Sequence, residues 1–183
     1  MTKTIVDFSA IEAAARRLAG QAVLTPLLES RDLNAKAGGR VLIKPECLQR
    51  TGSFKFRGAY NRISQIPPGQ HPQGVVAFSS GNHAQGVAAA AKALGLRAAI
   101  VMPADAPKIK IDNTRGHGAE VILYDRYRQD REAVAGQIAR DRGAVMVPPY
   151  DDPEIIAGQG TIGLEIVAQC RAIGAQPDLV LVP

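Results

Sequence analysis

The sequence predicts an α/β protein with a doubly wound, mostly parallel sheet. From Val41 onward, short apolar runs alternate with longer segments of helical periodicity, as in successive βαβ units. Parallel strands joined by right-handed crossovers are the most economical arrangement of such units. The 183 residues can form one domain or one and a half, and the low aromatic content of 4% suits alanine- and glycine-rich helices packed closely on a sheet.

The expected strands are short runs rich in valine, isoleucine and leucine. Most of them have glycine or proline close to one end, and these residues interrupt regular structure. We expect strands at 41–45, 74–78, 98–102, 120–124, 144–147 and 179–182. Their continuous apolar character is typical of strands that are covered on both faces.

Helices are predicted between these strands from apolar periodicity and end signals. Ser9 and Glu12 fit a capping box at the start of the first helix, and Ser53 is placed to cap the helix that carries Lys55. A Pro-Pro-Gly sequence at 67–69 is expected to break the chain after that helix. The expected helices cover 11–18, 31–37, 53–63, 84–94, 108–115, 131–142 and 152–170.

Composition argues against several function classes. The net charge of +5 is spread along the chain without a long basic run, so we expect no nucleic-acid partner. Arg126, Arg128 and Arg131 are interleaved with acidic residues and are expected to lie on a solvated helix face. No apolar run approaches transmembrane length and no signal region is visible, so we expect a cytoplasmic protein without membrane contact. Cys47 and Cys170 lack metal-ligand spacing, so we expect free thiols and no metal site.

Lys55 is the first candidate for chemistry, because it stands between Phe54 and Phe56. Desolvation beside aromatic rings would disfavour its ammonium form and lower the pKa of the amine. A neutral amine can attack a carbonyl carbon, which is how lysines hold aldehyde cofactors as Schiff bases. The alternative is a lysine that opens an amphipathic helix and extends its amine to water. The residue types alone leave both interpretations open.

The amino-acid sequence around Lys55 resembles that of a known protein family. Lys55 lies in the segment Thr-Gly-Ser-Phe-Lys-Phe-Arg-Gly at 51–58, which resembles the cofactor-lysine segment of pyridoxal-phosphate enzymes of the tryptophan-synthase-β type. The segment Ser-Ser-Gly-Asn-His at 79–83 resembles their second motif and stands at the expected distance downstream. Within that group the sequence is most similar to the threonine/serine dehydratases and serine racemases. The resemblance implies fold type II, in which two doubly wound domains enclose the cofactor.

The resemblance also implies a domain division and a set of partners. Residues 53–147 would form the smaller domain, and 1–52 with 148–183 the first part of the larger one. The family's glycine-rich phosphate loop follows the strand that matches 179–182, and the sequence reaches only Pro183, so we expect the larger domain to be truncated. The implied cofactor is pyridoxal 5'-phosphate and the implied partner a small amino-acid substrate. A homo-oligomer, dimer or tetramer, is also implied.

Roles at the cofactor follow from the same resemblance. Lys55 would hold the cofactor and, once released by substrate, remove the α-proton. Phe54 would pack near the cofactor ring, and Asn82 would hydrogen-bond its phenolic oxygen. Asn82 could simply cap the helix that begins near Ala84, and this interpretation is compatible with the cofactor contact. The glycines of 158–161 indicate close helix packing near the site and require no chemistry.

The loop after the second predicted strand is implied to bind the substrate. Ser80, Gly81, Asn82 and His83 match the residues that hold the substrate carboxylate, partly through backbone N–H groups at a helix N-terminus. Ser80 also matches the second acid/base of serine racemases. His83 taken alone would more often be a hydrogen-bonded structural histidine, and we assign it no proton transfer. Arg57 is expected to be a helix-surface charge rather than a substrate contact.

The implied reaction is β-elimination of L-threonine or L-serine to a 2-oxo acid and ammonia. Two alternatives remain open from the sequence. An amino-acid racemase of the same family would use the same residues, and product analysis would separate the two. The other alternative is a catalytically inactive fragment that lacks the phosphate-binding glycine loop. Spectra with added cofactor would test it.

Overall fold

Helices and strands alternate along residues 6–67 and 73–182, the parts of the chain that the computed structural model describes. The helices are α1 (Phe8–Leu18), α2 (Arg31–Ala37), α3 (Lys55–Ile63), α4 (Asn82–Ala93), α5 (Lys108–Gly116), α6 (Arg131–Arg142) and α7 (Pro153–Ala172). The strands are β1 (Leu28–Glu29), β2 (Leu42–Ile43), β3 (Val75–Phe78), β4 (Ala98–Pro103), β5 (Glu120–Tyr124) and β6 (Val145–Met146). Single 3₁₀ turns at Glu46–Leu48 and Arg50–Gly52 lead into α3.

The main sheet has the order β5-β4-β3-β6, and every neighbouring pair in it is parallel. The predicted parallel α/β sheet is therefore confirmed. The chain winds from β3 through β4 to β5 on one side and then returns to place β6 on the other side of β3. The winding direction thus reverses between β3 and β6, and a crevice at the carboxyl ends of the strands is expected at such a point.

Both faces of this sheet are covered, which makes it doubly wound. Val75 and Ala77 of β3 pack in one core cluster with side chains of α3 and α4. Their neighbours Val76 and Phe78 pack in a second cluster with side chains of α6. Because successive side chains of a strand point to opposite faces, β3 contributes to both layers and all of its residues are buried.

Three of the strand predictions need correction. The expected strand at 41–45 shortens to β2, which pairs with β1 in an antiparallel ribbon that the sequence did not indicate. The strand at 144–147 likewise shortens to β6. Residues 179–182 do not form a strand, and Leu179 and Val182 are 75% and 85% exposed. No described strand lies beside them, so their backbone groups have no ladder to join.

Two predicted helix caps are also wrong. The side chain of Asp7, not Ser9, accepts the backbone N–H of Ala10 at the start of α1, and the Ser9 hydroxyl donates to Asp7. A carboxylate is the stronger acceptor at a helix N-terminus, because it also interacts with the helix dipole. The residue before α3 is Phe54, and the buried Ser53 hydroxyl has no hydrogen-bond partner among the described residues.

The predicted chain break at 67–69 lies largely outside the described residues. The helix stops at Ile63, before Pro67, and residues 68 and 69 lie outside the described part of the chain. Among the described helices, none is both long and apolar enough to cross a membrane.

Glycine contacts fix α3 between two neighbouring helices. A Cβ atom on Gly158 of α7 would lie 2.6 Å from the Cα of Gly58 in α3, so the two backbones cross in direct contact. On the other side of α3, a Cβ on Gly86 of α4 would lie 3.1 Å from the carbonyl carbon of Lys55. The close helix packing expected for the glycines of 158–161 is therefore present, and it holds the backbone of Lys55 against α4.

Candidate active site

A cleft of about 340 Å³ opens at the carboxyl end of the main sheet, where the winding direction reverses. Its walls come from the start of α3, the loop after β3, the start of α5 and α6, and the segment after β6. The lining residues are Lys55, Phe78, Ser79, Ser80, Gly81, Asn82, His83, Lys110, Arg131, Pro149 and Tyr150. The structure thus brings Lys55 together with the predicted carboxylate loop.

Lys55 is the first residue of α3, and its amine is half-buried in the cleft wall. The amine donates a hydrogen bond to the Pro149 carbonyl oxygen at 2.8 Å. It lies 5.3 Å from the centre of the Phe54 ring. Burial lowers the pKa of Lys55 from its ordinary value, which is the direction the sequence predicts. The second aromatic flank contributes nothing to this, because Phe56 points into the core and is 1% exposed.

The loop after β3 delivers the start of α4 to the cleft. Gly81 precedes the helix without a side-chain cap, so the N–H groups of the first turn have no side-chain acceptor there. Such a turn is a ready site for an anion, because its donors and the helix dipole both favour negative charge. Asn82 is the first helical residue rather than the cap, so the capping alternative is wrong. Ser80 and Asn82 are both exposed in the cleft.

His83 is buried at the base of this loop and is 2% exposed. Its Nε2 lies 3.0 Å from the Val147 carbonyl oxygen, which can only accept, so Nε2 carries the proton. Burial, with a smaller contribution from the nearby Lys55 charge, lowers the pKa of His83 to about 4, although the hydrogen bond to the Val147 carbonyl opposes this shift. The imidazole is therefore neutral near pH 7, and its Nδ1 has no partner among the described residues. This side chain joins α4 to the end of β6, as the structural interpretation of His83 expected.

Two further cations line the cleft, and no motif in the sequence places them there. Lys110 of α5 lies over the loop, with its Nζ 3.2 Å from where a Cβ on Gly81 would be. Arg131, expected on a solvated helix face, holds its guanidinium 5.4 Å from the centre of the Phe78 ring. Its Nη2 donates to the Tyr150 hydroxyl at 3.3 Å. The described lining contains no Asp or Glu, so the cleft is suited to anionic ligands.

The topology explains how these residues could have been found. Lys110, Arg131 and Tyr150 all follow the carboxyl ends of parallel strands, and those ends meet at one edge of the sheet. The order of the strands in the sheet was needed to see that the three segments converge, and the sequence does not state that order.

Arg57 is not a surface charge. Its side chain is 1% exposed, and its guanidinium makes paired contacts with the carboxylates of Glu46 and Glu165 at 2.6–2.9 Å. Although burial alone would lower it, hydrogen bonds to these two carboxylates raise the pKa of Arg57. Lys44 completes the cluster with an Nζ–Oε2 distance of 2.5 Å to Glu165. The cluster joins α3, two residues after Lys55, to α7 and to the turn before α3.

Metal ligation has no support in this part of the molecule. Within residues 6–67 and 73–182, no group of three or more His, Cys, Asp or Glu side chains is arranged to hold a metal ion.

Comparison with known proteins gives consistent matches. A family model described as "Pyridoxal-phosphate dependent enzyme" matches residues 19–183. The sequence is 53% identical to an L-threo-3-hydroxyaspartate ammonia-lyase of Pseudomonas sp, over 84% of this chain and 48% of that protein. It is 44% identical to a serine racemase of Schizosaccharomyces pombe, over 90% of this chain and 51% of that protein.

Solved structures agree in fold as well as in sequence. A threonine deaminase of T.th. superposes with a TM-score of 0.86 at 46% identity, over 93% of this chain and 54% of that one. The chain therefore spans about half the length of the curated relatives it matches.

Proposed function

The chain belongs to the family of pyridoxal-phosphate dependent enzymes and has their fold type II architecture, and on that basis we propose that its cleft serves β-elimination of a β-hydroxy α-amino acid. The substrates proposed first are L-threonine and L-serine, with a 2-oxo acid and ammonia as products. The observation that carries the proposal is the desolvated amine of Lys55, held by the Pro149 carbonyl in a cleft that also contains the start of α4. Since the chain spans about half of its relatives, the reaction is proposed for the whole protein.

The cleft residues fit the family's cofactor, which is a phosphorylated aldehyde. Lys55 would hold it covalently through its amine, and Phe54, whose ring lies 5.3 Å from that amine, would pack beside it. Asn82, exposed in the cleft, would donate a hydrogen bond to its phenolic oxygen. The described lining residues include cations and no carboxylate, and this excess of positive charge suits the negative charge of the cofactor. Bound there, pyridoxal phosphate supplies an electron sink for the negative charge that develops on the substrate α-carbon.

Substrate binding is proposed at the start of α4. The substrate carboxylate would accept hydrogen bonds from first-turn N–H groups near Gly81, Asn82 and His83 and from the Ser80 hydroxyl. Holding the carboxylate there orients the rest of the amino acid in the cleft. The neutral imidazole of His83 adds no charge to this loop, and its bond to the Val147 carbonyl keeps α4 in place.

Lys55 is the proposed base. A primary amine accepts a proton only in its neutral form, and the lowered pKa of Lys55 increases the neutral fraction near pH 7. The α-proton would move to Lys55, and the β-hydroxyl would leave as water on taking up a proton from the resulting Lys55 ammonium. Water then hydrolyses the released enamine, so that the net products are the 2-oxo acid and ammonia.

A racemase is the second candidate, and Ser80 is the residue that favours it. Its hydroxyl is exposed in the same cleft as the Lys55 amine, so a second proton donor is available to the substrate. Racemisation would return a proton to the α-carbon without loss of the β-hydroxyl. The products therefore separate the two reactions.

The proposal extends to the protein's surroundings and organisation. We propose a cytoplasmic homo-oligomer, dimer or tetramer, that acts on small amino acids. We further propose that residues 53–147 form the smaller domain and that 1–52 and 148–183 form the first part of the larger one. The apolar side chains of Leu24 and Leu48 are 66% and 55% exposed. Their exposure supports the proposal that another protein surface packs against this part of the chain. Light scattering of the purified chain would measure its oligomeric state.

The deciding experiment is the visible absorption spectrum of the chain after addition of pyridoxal phosphate. We expect a band from covalently bound cofactor that is lost in Lys55→Ala and kept in Lys108→Ala, whose lysine side chain is 88% exposed. Assays with L-threonine and L-serine would then measure 2-oxo acid and D-amino acid separately. A band that persists in Lys55→Ala, or a D-amino acid as the main product, would contradict the proposal.

A further inference from the structure

The amine of Lys55 is open to carbonyl compounds other than the cofactor. It is half-buried in the cleft wall, and it donates a hydrogen bond to the Pro149 carbonyl oxygen at 2.8 Å. None of the ion pairs formed within residues 6–67 and 73–182 involves Lys55, so no described carboxylate stabilises its ammonium form. Burial also lowers the pKa of this amine. An amine in such a place can attack a carbonyl carbon that the cleft binds close to it.

The cleft also offers a place for a carboxylate close to this amine. The first turn of α4 has no side-chain cap at Gly81, and its N–H groups favour an anion. A Cβ atom on Gly86 would lie 3.1 Å from the carbonyl carbon of Lys55, and Gly86 follows Asn82 by about one helical turn. A small molecule held by its carboxylate at the start of α4 therefore lies within reach of the Lys55 side chain.

A buried histidine next to this turn gives an independent indication of a ligand. His83 lines the same cleft and is 2% exposed, and its Nδ1 has no hydrogen-bond partner among the described residues. Because Nε2 carries the proton, Nδ1 is a buried acceptor, and buried polar atoms in folded proteins are nearly always hydrogen-bonded. A carbonyl compound that adds to the Lys55 amine acquires a hydroxyl group, which is a donor of the kind that Nδ1 lacks.

A 2-oxo acid combines the two groups that this arrangement can bind. Its carboxylate is bonded directly to its carbonyl carbon, so an anion site beside an amine suits both. The cleft of about 340 Å³ has room for such a molecule, and its described lining contains no Asp or Glu to repel the carboxylate. We propose that the cofactor-free chain binds small 2-oxo acids covalently, as imines on Lys55.

The covalent step needs no oxidant, reductant or further reactant. The Lys55 nitrogen forms a bond to C2 of the 2-oxo acid, the carbon–oxygen double bond is replaced by a carbon–nitrogen double bond, and both amine protons leave with that oxygen as one molecule of water. The imine nitrogen, protonated by solvent, keeps an N–H that can still donate to the Pro149 carbonyl. The inference rests on the proposed function for the choice of ligand, because a 2-oxo acid is the proposed product. Product and cofactor would then compete for one amine.

The test traps the imine by reduction. The 183-residue chain, prepared without pyridoxal phosphate, is mixed near neutral pH with pyruvate, the 2-oxo acid that L-serine would give, and treated with sodium cyanoborohydride. Mass spectrometry of the intact chain and of its peptides then counts and locates the reduced adducts. An ordinary lysine is almost entirely protonated at this pH and reacts slowly. We expect one main adduct, on Lys55.

A matched ligand and a matched lysine make the result specific. Acetone has the carbonyl group of pyruvate without the carboxylate, so the ratio of labelling at Lys55 to labelling at Lys108 should be at least about tenfold higher with pyruvate. Lys55→Ala should lose the main adduct and Lys108→Ala should keep it, since Lys108 is 88% exposed and lies outside the cleft lining.

Peptide mapping of the unaltered chain needs no variant, so the result is decisive even if Lys55→Ala does not fold. Three outcomes would overturn the inference: labelling spread evenly over exposed lysines, a main adduct on Lys110 in place of Lys55, or equal labelling ratios with pyruvate and with acetone.

Failure of this inference is distinguishable from failure of the proposed function. The trapping experiment contains no pyridoxal phosphate, so a chain that gives no absorption band with the cofactor can still form the pyruvate adduct on Lys55. Conversely, a chain that binds the cofactor through Lys55 but forms no pyruvate adduct there refutes only the inference about 2-oxo acids.

Discussion

Burial of two titratable side chains side by side sets the electrostatics of the cleft. Lys55 and His83 both lose solvation, and each has its pKa lowered, since desolvation disfavours the charged form of a base. The positive charge of Lys55 further disfavours a second cation on His83. The arrangement keeps His83 neutral and favours the neutral amine that the proposed reaction needs.

His83 makes the stability of the fold depend on pH. Its pKa falls from 6.5 to about 4 on folding, so between these values the unfolded chain binds a proton that the folded chain does not. The free energy of unfolding should therefore be undiminished above pH 6.5 and fall as the pH drops toward 4, by on the order of 3 kcal/mol. Urea unfolding at a series of pH values would measure the slope.

The variant His83→Gln isolates this contribution, because its amide can still donate to the Val147 carbonyl but does not titrate. We expect the difference in unfolding free energy between the two proteins to shrink as the pH falls through this window. The matched control is His117→Gln, since His117 is less buried and should leave most of the slope. An unchanged slope in His83→Gln would show that the imidazole titrates normally in the fold.

Single residues also show what the sequence could and could not reveal about the site. Two aromatic neighbours make Lys55 a candidate, but the residue types leave a solvated lysine open and only the resemblance of 51–58 decides; in the structure only Phe54 contributes to its environment. Arg57 was misassigned because its partners Glu46 and Glu165 lie 11 and 108 positions away, and only the packed structure brings them together. Arg131 is exposed on α6, as the interleaved charges predict, but its place on the cleft wall depends on which strand lies next to which.

At the scale of elements, the position of Lys55 depends on how closely three helices approach. Gly58 of α3 meets Gly158 of α7, and Gly86 of α4 meets the backbone of Lys55. The sequence showed the glycines of 158–161 but not their partners, because glycine contacts leave no periodic signal. The strands β3 and β4 were predicted well, since burial on both faces makes them continuous apolar runs. The segment 179–182 has the same character yet forms no strand, because no described strand lies beside it.

A pair of substitutions in α7 tests this packing. In Gly158→Ala the new methyl group would lie 2.6 Å from the Gly58 Cα and 2.7 Å from the Arg57 carbonyl oxygen. Backbone cannot move aside as a side chain does, so we expect a loss of about 1–3 kcal/mol in unfolding free energy. Urea denaturation followed by circular dichroism would measure it.

Gly163→Ala is the matched control in the same helix, since, apart from the adjacent backbone of α7, no atom of the described residues lies within 4 Å of the added methyl group. Alanine is favoured over glycine in an exposed helix, so this variant should gain about 0.5–1 kcal/mol. Equal effects of the two substitutions would mean that α3 and α7 are not in direct backbone contact.

At the scale of the whole molecule, distant parts of the chain meet in one charged cluster. Lys44 and Glu46 precede the helix of the catalytic candidate, Arg57 lies on that helix, and Glu165 lies on α7. Two positive and two negative groups balance there, and the Arg57 guanidinium is 1% exposed. The cluster thus connects segments on both sides of the proposed boundary at residue 53, so α3 is fixed against the rest of the chain.

Removing the centre of this cluster should therefore affect the whole fold. In Arg57→Ala the carboxylates of Glu46 and Glu165 lose their main partner while they remain largely buried, and we expect a loss of about 3–5 kcal/mol in unfolding free energy. Arg142→Ala breaks an exposed pair with Glu120, whose side chains are 40% and 54% exposed, and should cost no more than about 1 kcal/mol. If Arg57→Ala does not fold, Glu46→Gln, which keeps the shape and removes one charge, allows the same comparison. Urea unfolding would measure these losses. If the cluster variants lose no more unfolding free energy than Arg142→Ala, the cluster does not hold α3 in place, and the glycine contacts alone would have to position Lys55.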